Sequence, residues 1–432
     1  MKKMKRFIKN KEFQKRFWFT VFLLIVYEFG SMISLPNVNQ EILQSMVESN
    51  SFVQLLNMIG GGSLDRMSLF ALGVTPYITA SIVVQLMASD VIPSLTRMKD
   101  QGLKGQNKLD RVTRILTIIL AFVQGYGIVL MLSSSTPVVE NGTVTLLSML
   151  DDTSVLGTLY VCLLMVAGSM IAIWFGDLLT MHGLGNGASM IICAGILMRM
   201  PNQFASIYTT LVGNGDIATF VGYLVSLLVL VLAIVVLQLS ERHIPIWDPS
   251  SRISAVNDKE SNYLPLKVNT PGVMPIIFAS SLMMVPLQIL QMLQKSDWYT
   301  EASKFLGLES WYSVAIYAVL VIFFSFFYAK IQINPEKVAE NLTKGGTFIP
   351  GYQPGKETEK YVSKTLNHIM VFGAIALTIV AVIPYLLPMF TSLTSSTAIG
   401  GTSILIIVGV LIELRVQVKG LLHKDRYEQF RV

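Results

Sequence analysis

The chain has 432 residues, of which 52% are apolar or aromatic and only 14% charged, with a formal net charge of +6. Soluble domains carry about 25% charged residues. A chain this long, with a mean hydropathy of +0.58, has too little polar surface to face water on all sides, so a soluble globular fold is excluded and lipid is the expected solvent. The excess of cations, which would suggest nucleic acid in a soluble protein, is read first as the loop charge that orients membrane proteins.

A hydrocarbon core about 30 Å thick takes about 20 apolar residues per helix. Runs of that kind predict ten spans, at 17–35, 67–89, 115–133, 155–176, 188–203, 217–238, 270–291, 312–330, 369–390 and 398–415. The first follows a basic N-terminus, but it is of span length, without the short core and small-residue cleavage site of a signal peptide. Ten spans put both termini on one side. Of the 33 Lys and Arg residues, 8 fall in 1–16, 6 in 90–114, 4 in 239–268, 6 in 330–364 and 5 in 415–432. The opposite side holds Arg66, Arg199, Lys295 and Lys304. The termini and the basic loops are therefore expected in the cytoplasm.

Three stretches do not read as plain spans. Gly60-Gly61-Gly62-Ser63-Leu64-Asp65-Arg66 precedes span 2, and each glycine destabilises a continuous helix by about 1 kcal/mol. Irregular backbone at membrane depth is tolerated only inside protein or beside a water-filled cavity. This segment is compatible with a half-helix dipping into a central cavity and with an amphipathic surface loop. Gly73 and Pro76 lie inside predicted span 2, and Gly272 and Pro275 inside predicted span 7, as simple kinks or as hinges of helices that part. Gly183-Leu184-Gly185-Asn186-Gly187 opens span 5, with Asn186 near the helix N-cap.

Charge is sparse inside the spans. Glu28 and Arg199 lie within them, both toward the outer ends, where an ion pair, or separate snorkelling to the headgroups, would lower their cost. Ion-coupled transporters place ionisable groups near the midplane, and His182, His243, His368 and His423 all sit in or near cytoplasmic segments. The sequence carries no HExxH, and Cys162 and Cys193 are isolated in apolar runs. No enzyme, cofactor or metal site is expected. Loops 239–268 and 330–364 are polar, basic and too long to be mere connectors. They suit the docking of a large, partly acidic partner such as ribosomal RNA or a soluble motor.

Several motifs together are specific. They include Asn57-Met58 before Gly61-Gly62, the run Phe70-Ala71-Leu72-Gly73-Val74-Thr75-Pro76-Tyr77-Ile78-Thr79-Ala80-Ser81, and Gly183 to Gly187. Leu264-Pro265-Leu266-Lys267-Val268-Asn269, Phe278-Ala279-Ser280-Ser281, Asn334-Pro335, Phe348-Ile349-Pro350-Gly351, Pro354-Gly355 and Gly400-Gly401-Thr402-Ser403 continue them along nearly the whole chain. In these motifs the chain resembles the SecY family of protein-conducting channels of the bacterial plasma membrane. The resemblance implies an all-α polytopic membrane protein with ten transmembrane helices in two pseudo-symmetric, inverted halves around a central pore. Its parts would be a basic segment 1–16, an N-terminal half 17–212 with a plug helix at about 58–68, a C-terminal half 213–415 and a tail 416–432.

Carried over motif by motif, the pore ring is expected at Val74, Ile78, Ala188, Ile192, Ile277 and Ile406, and the plug at Gly61, Gly62, Leu64 and Arg66. The lateral gate between spans 2 and 7 is expected at Thr79, Gln85, Asn269 and Ser280, and motor or ribosome docking at Arg242, Arg252, Lys344, Gln353 and Lys356. SecE-like and SecG-like small membrane subunits, a SecA ATPase motor, the ribosome, signal peptides, unfolded preproteins and membrane lipid are the implied partners. The chain departs from the family pattern at Glu28 and Gln353, where Arg is usual, at Ser34, where Pro is usual, at the Trp247 to Ser251 run, usually more basic, and at Ala188, usually bulkier. These departures fit a divergent lineage or an accessory paralogue. A ten-span small-molecule transporter and a pore-less insertase or docking subunit are the rival readings. The lack of a midplane ionisable residue argues against the transporter.

Overall fold

The computed structural model describes residues 11–36, 38–40, 43, 64, 66–89, 92–133, 136–140, 143–147, 154–213, 217–247, 263–292, 310–390 and 401–429. Among them are α1 (Lys11–Ser31), α2 (Thr75–Met87), α3 (Pro93–Asp100), α4 (Leu103–Ser133), α5 (Val155–His182), α6 (Gly187–Gly213), α7 (Ile217–Leu239), α8 (Met274–Met292), α9 (Trp311–Gln332), α10 (Pro335–Lys344), α11 (Lys356–Phe390) and α12 (Gly401–Gln429). Two antiparallel hairpins complete the inventory. Strands β1 (Thr136–Glu140) and β2 (Thr143–Leu147) pair between α4 and α5, and β3 (Glu241–Pro245) and β4 (Tyr263–Lys267) between α7 and α8.

Each of the ten expected spans coincides with a helix: α1, α2, α4 to α9, α11 and α12. Six of these, α4, α5, α6, α7, α9 and α11, are long and apolar enough to cross a bilayer. The 23 residues of α7 reach about 35 Å at 1.5 Å per residue. One side of this helix, with Val225, Leu228, Val229 and Leu232, is exposed, as a lipid-facing surface requires.

Spans 2 and 7 differ from expectation. Residues 67–74 are turns, and α2 is only 13 residues long. Likewise, 268–273 form no helix before α8. Gly73 and Gly272 adopt left-handed φ of 52° and 65°, a conformation that stops a helix from extending through them. Pro76 and Pro275 follow inside the first turns, where a missing N–H costs nothing. These residues therefore terminate non-helical lead-in turns rather than kink continuous spans. Such backbone survives at depth because it is enclosed: Ser68, Phe70, Ala71, Leu72 and Val74 are all buried. The turn into span 5 does match expectation, with Asn186 Oδ1 accepting from the N–H groups of Ala188 (3.1 Å) and Ser189 (3.4 Å).

The packing repeats itself. In the first half α1 packs on α5 and α6, α4 on α2 and α5, and α5 on α6. In the second, α7 packs on α11 and α12, α9 on α8 and α11, and α11 on α12. Each of the spanning helices α1, α2, α4, α5 and α6 thus has a counterpart with matching neighbours in the second half. The halves meet along two seams: α6 against α7 and α12 on one side, α8 against α2 and α4 on the other.

Close backbone approaches hold each bundle. A Cβ on Gly187 would lie 1.8 Å from the Gly176 carbonyl oxygen, so α5 and α6 cross in near backbone contact. The turn between them is pinned from three helices: Leu184 N–H donates to Thr20 Oγ1 (3.0 Å), Gly187 N–H to Thr180 Oγ1 (2.9 Å), and Gly185 N–H to Gln417 Oε1 (2.5 Å). Glu28 makes a local bond, with Oε2 accepting the Ser31 hydroxyl at 3.1 Å, while its Oε1 is buried without a hydrogen-bond partner.

Candidate functional site

Four helices bring the expected ring residues to one region. Val74 ends the lead-in turn of α2, and its carbonyl accepts Ile78 N–H at 3.1 Å, so the two lie one turn apart on one face. Ile192 comes from the second turn of α6, Ile277 from the first turn of α8 and Ile406 from α12. All five are buried, none more than 9% exposed, and belong to a single contiguous apolar cluster. Ala188 lies a turn before Ile192, half-buried, its N–H bonded to Asn186. Such a cluster offers a permeant ion no ligand and holds no stable water column.

The expected gate residues are buried or half-buried, and each satisfies its polar group within its own element. Thr79 Oγ1 donates to Thr75 O (3.1 Å) and Gln85 Nε2 to Ser81 Oγ (2.9 Å) on α2. Asn269 Nδ2 donates to Gly272 O (3.1 Å) and Ser280 Oγ to Ile277 O (2.9 Å) on the α8 side. None of these bonds spans from α2 to α8, so parting the two helices breaks none of them.

Of the expected plug, Gly61, Gly62 and Asp65 lie outside the described residues. Leu64 is buried and Arg66 exposed, both in turns rather than helix. The root of this segment is fastened to the end of α1. Leu35 N–H donates to Met67 O (3.0 Å), Leu69 N–H to Ile33 O (3.0 Å), and Ser34 and Ser68 form an antiparallel bridge. Gln40 Nε2 reaches both Ser34 Oγ and the Arg66 carbonyl.

The two long loops fold as one body. Ile244 and Leu266 of the β3–β4 hairpin, Ile349, and Val362, Leu366 and Met370 of α11 share a buried cluster. Trp247 and Phe348 exchange backbone hydrogen bonds at 2.8 and 3.0 Å across the loops. Arg242, Lys344, Gln353 and Lys356 are all exposed on this body, and Arg252 lies outside the described residues. Gln353 engages through its backbone, its N–H bonded to Glu357 Oε2 (3.1 Å) and its carbonyl accepting Thr358 Oγ1 (2.9 Å).

Residues not singled out by sequence reasoning position the site. Ser169 of α5 donates its hydroxyl to Gly73 O at 2.9 Å, and a Cβ on Gly168 would lie 1.7 Å from Leu69 O. The lead-in turn carrying Val74 is thus held against the backbone of α5. The signal that could have found this is an internal repeat: Gly73-Val74-Thr75-Pro76 recurs as Gly272-Val273-Met274-Pro275.

Two matching helical bundles that meet at one buried aliphatic cluster, six of their helices long and apolar enough to cross a bilayer, define a multi-pass membrane protein. The family model for SecY matches residues 68–415. A protein translocase subunit SecY 1 of Lactobacillus kefiranofaciens subsp. kefiranofaciens is 40% identical over 440 residues, covering 99% of each chain. A protein translocase subunit SecY of Mycoplasma capricolum is 37% identical, over 95% of this chain and 88% of the relative. Among solved structures, a protein-conducting channel aligns with a TM-score of 0.65 at 15% identity, covering 94% of this chain and 92% of that one. A SecY channel whose plug domain stabilises its closed state aligns at 0.68 and 16% identity, with the same coverage. The chain belongs to the SecY family.

Proposed function

We propose that the chain is the channel-forming subunit of a bacterial protein translocase. It passes unfolded secretory chains across the plasma membrane and releases signal sequences and membrane helices into lipid between α2 and α8. One observation carries this: Val74, Ile78, Ile192, Ile277 and Ile406 enter one buried cluster from four helices that belong to both halves. An apolar seal excludes ions by dewetting and has no fixed ligand to retain a passing peptide. The thinner contact between α2 and α8 supports a lateral exit there, while the α6–α12 seam, with the Gln417–Gly185 bond, supports a hinge opposite.

In this reading residues 17–212 and 213–415 are the two halves, 58–68 is the plug, and Ala188 completes the ring. Five spans per half make the second half inverted relative to the first, with both termini, the 1–16 segment and the 416–432 tail in the cytoplasm. The loop body that carries Arg242, Arg252, Lys344, Gln353 and Lys356 receives a SecA-type motor or the ribosome. A relative of like fold has been solved as Sec61 in a canine ribosome–channel complex. SecE-like and SecG-like subunits accompany the chain. A photoreactive residue at Val74 or Ile277 is expected to crosslink a secretory chain stalled in transit. Adducts formed only at lipid-facing positions such as Val229 would overturn the pore.

A further inference from the structure

We propose, building on the gate reading, that Ser169 is a positioning residue that fastens the α2 side of the gate, and that the α8 side, which lacks its counterpart, is the side that moves. The inference comes from comparing the two lead-in turns through the internal repeat. Aligning Gly73 with Gly272 places Leu69 opposite Val268 and Leu72 opposite Pro271. In α5 the Gly168 backbone faces Leu69 O, and in α11 the Gly373 backbone faces Val268 O. The residues after these glycines, Ser169 and Ala374, are therefore counterparts.

Four differences separate the turns. Ser169 hydrogen-bonds Gly73 O across 96 positions of sequence, whereas Ala374 has no hydroxyl and Gly272 O is met from within its own turn by Asn269. The backbone approach is closer on the α2 side, a Cβ on Gly168 falling 1.7 Å from Leu69 O against 2.3 Å from Gly373 to Val268 O. Leu72 fills the space beside its turn, buried in a cluster with Ala121, Met165 and Val166. Its counterpart Pro271 instead borders a small cavity lined by Asn269, Ser325, Ala329, Met370 and Ala374. Finally, Gly73, Val74 and Thr75 are buried, while Gly272, Val273 and Met274 are only half-buried. Each difference leaves the α8 turn less constrained. Tight packing resists displacement, and the looser packing beside the α8 turn resists it less.

The gate therefore opens by displacement of the α8 turn and Ile277 toward α9 and α11. Val74 and Ile78 stay fixed to α5 as the stationary wall of the constriction. A side chain that only stabilised the fold would act alike on both helices, so the distinguishing readout is which helix moves.

The experiment places spin-label pairs on exposed positions of the full chain, purified with its accompanying subunits into nanodiscs, with Cys162 and Cys193 replaced by Ala. One pair, at Met87 and Trp174, reports α2 against α5. The other, at Leu282 and Phe372, reports α8 against α11. The probe is a synthetic signal peptide with a basic start and a leucine-rich core. The expected result is a shift of several ångströms in the α8–α11 distance and none in the α2–α5 distance. Ala374→Ser, which supplies the missing hydroxyl, is expected to reduce the displaced population about fivefold, and Ser169→Ala to let the α2–α5 distance shift as well. A shift in the α2–α5 pair alone in the parent chain overturns this inference but leaves a gate. An α8 shift in the parent that Ala374→Ser leaves undiminished overturns the assignment of the missing hydroxyl as the cause. No shift in either pair overturns the gate reading itself, and this inference with it.

Discussion

The contact between α5 and the lead-in turn of α2 makes a sharp prediction for Gly168→Ala. The added methyl would fall 1.7 Å from Leu69 O and 2.7 Å from the Leu69 carbonyl carbon. Both are backbone atoms, so no rotamer change relieves the clash, and the turn must retreat until ordinary contact near 3.4 Å is restored. Its retreat is blocked. Phe70 stacks on Tyr27 at 4.8 Å and meets Phe175 edge-on at 6.2 Å, and a Cβ on Gly30 would already touch the Phe70 ring. The Leu35–Met67 and Leu69–Ile33 backbone bonds tie the same segment to the end of α1. Overpacking of this kind costs about 1–3 kcal/mol, and loss of the Ser169–Gly73 bond adds about 1 kcal/mol. A total of about 2–4 kcal/mol is expected. Gly373→Ala, with 2.3 Å to Val268 O and a cavity beside the turn, should cost about 1–2 kcal/mol. Unfolding of both variants in mixed micelles of rising SDS fraction, followed by tryptophan fluorescence, measures the difference. A Gly168→Ala variant as stable as the parent, or less affected than Gly373→Ala, would refute the reasoning.

Two further predictions concern the loop body. Asn334 caps α10, its Oδ1 accepting Glu336 N–H (2.9 Å) and Lys337 N–H (3.3 Å), so Asn334→Ala should cost about 1 kcal/mol locally and speed amide exchange at 336–338 about fivefold without changing exchange in α7. The Lys344 Nζ–Glu340 Oε1 bond of 2.6 Å, and after it the Lys344 charge, hold the Glu340 carboxyl below its ordinary 4.5. A lowered folded value means that this support of α10 is complete above that ordinary value and lost as pH falls through the lowered one. Protection factors in α10, with the intrinsic slowing of exchange in acid divided out, should therefore fall in that acid window in the parent, and a Glu340→Gln variant that shows the same fall would remove the pair as its cause.

The helical frame was legible because lipid writes its demand locally. A segment of about 20 apolar residues needs no distant partner to be recognised, and predicted span 217–238 coincides with α7 to within a residue. The lead-in turns were not legible for the opposite reason. Residues 67–74 are as apolar as a span, and what keeps them from being helical is a left-handed glycine together with a close approach from α5, 96 positions away in sequence. Hydropathy registers neither. The ring residues show the same limit: Val74 and Val408 are both aliphatic and both buried in one cluster, and nothing local separates a constriction from ordinary core. Only motif resemblance singled out the first. The partners of the polar gate groups were equally invisible, because Thr79 and Ser280 bond back to their own helices and leave no complementary pattern across the seam.

The departures from the family pattern gain a physical meaning from the loop body. The resemblance leads one to expect an Arg at Gln353, yet what this residue gives the fold is its backbone, bonded to Glu357 and Thr358. Any residue with an N–H and a carbonyl supplies that. Trp247 likewise joins the two loops through main-chain bonds to Phe348, while the residue stays 56% exposed. The shape of the body is set by Ile244, Leu266, Ile349, Val362 and Leu366 beneath, which a change of surface side chain does not disturb. Losing a guanidinium at 353 removes a planar, charge-bearing fork, and an exposed indole at 247 adds apolar area, without altering the frame. At Gln353 and Trp247 the departures therefore change side-chain chemistry on the surface of the loop body, while the buried frame of Ile244, Leu266, Ile349, Val362 and Leu366 stays in place.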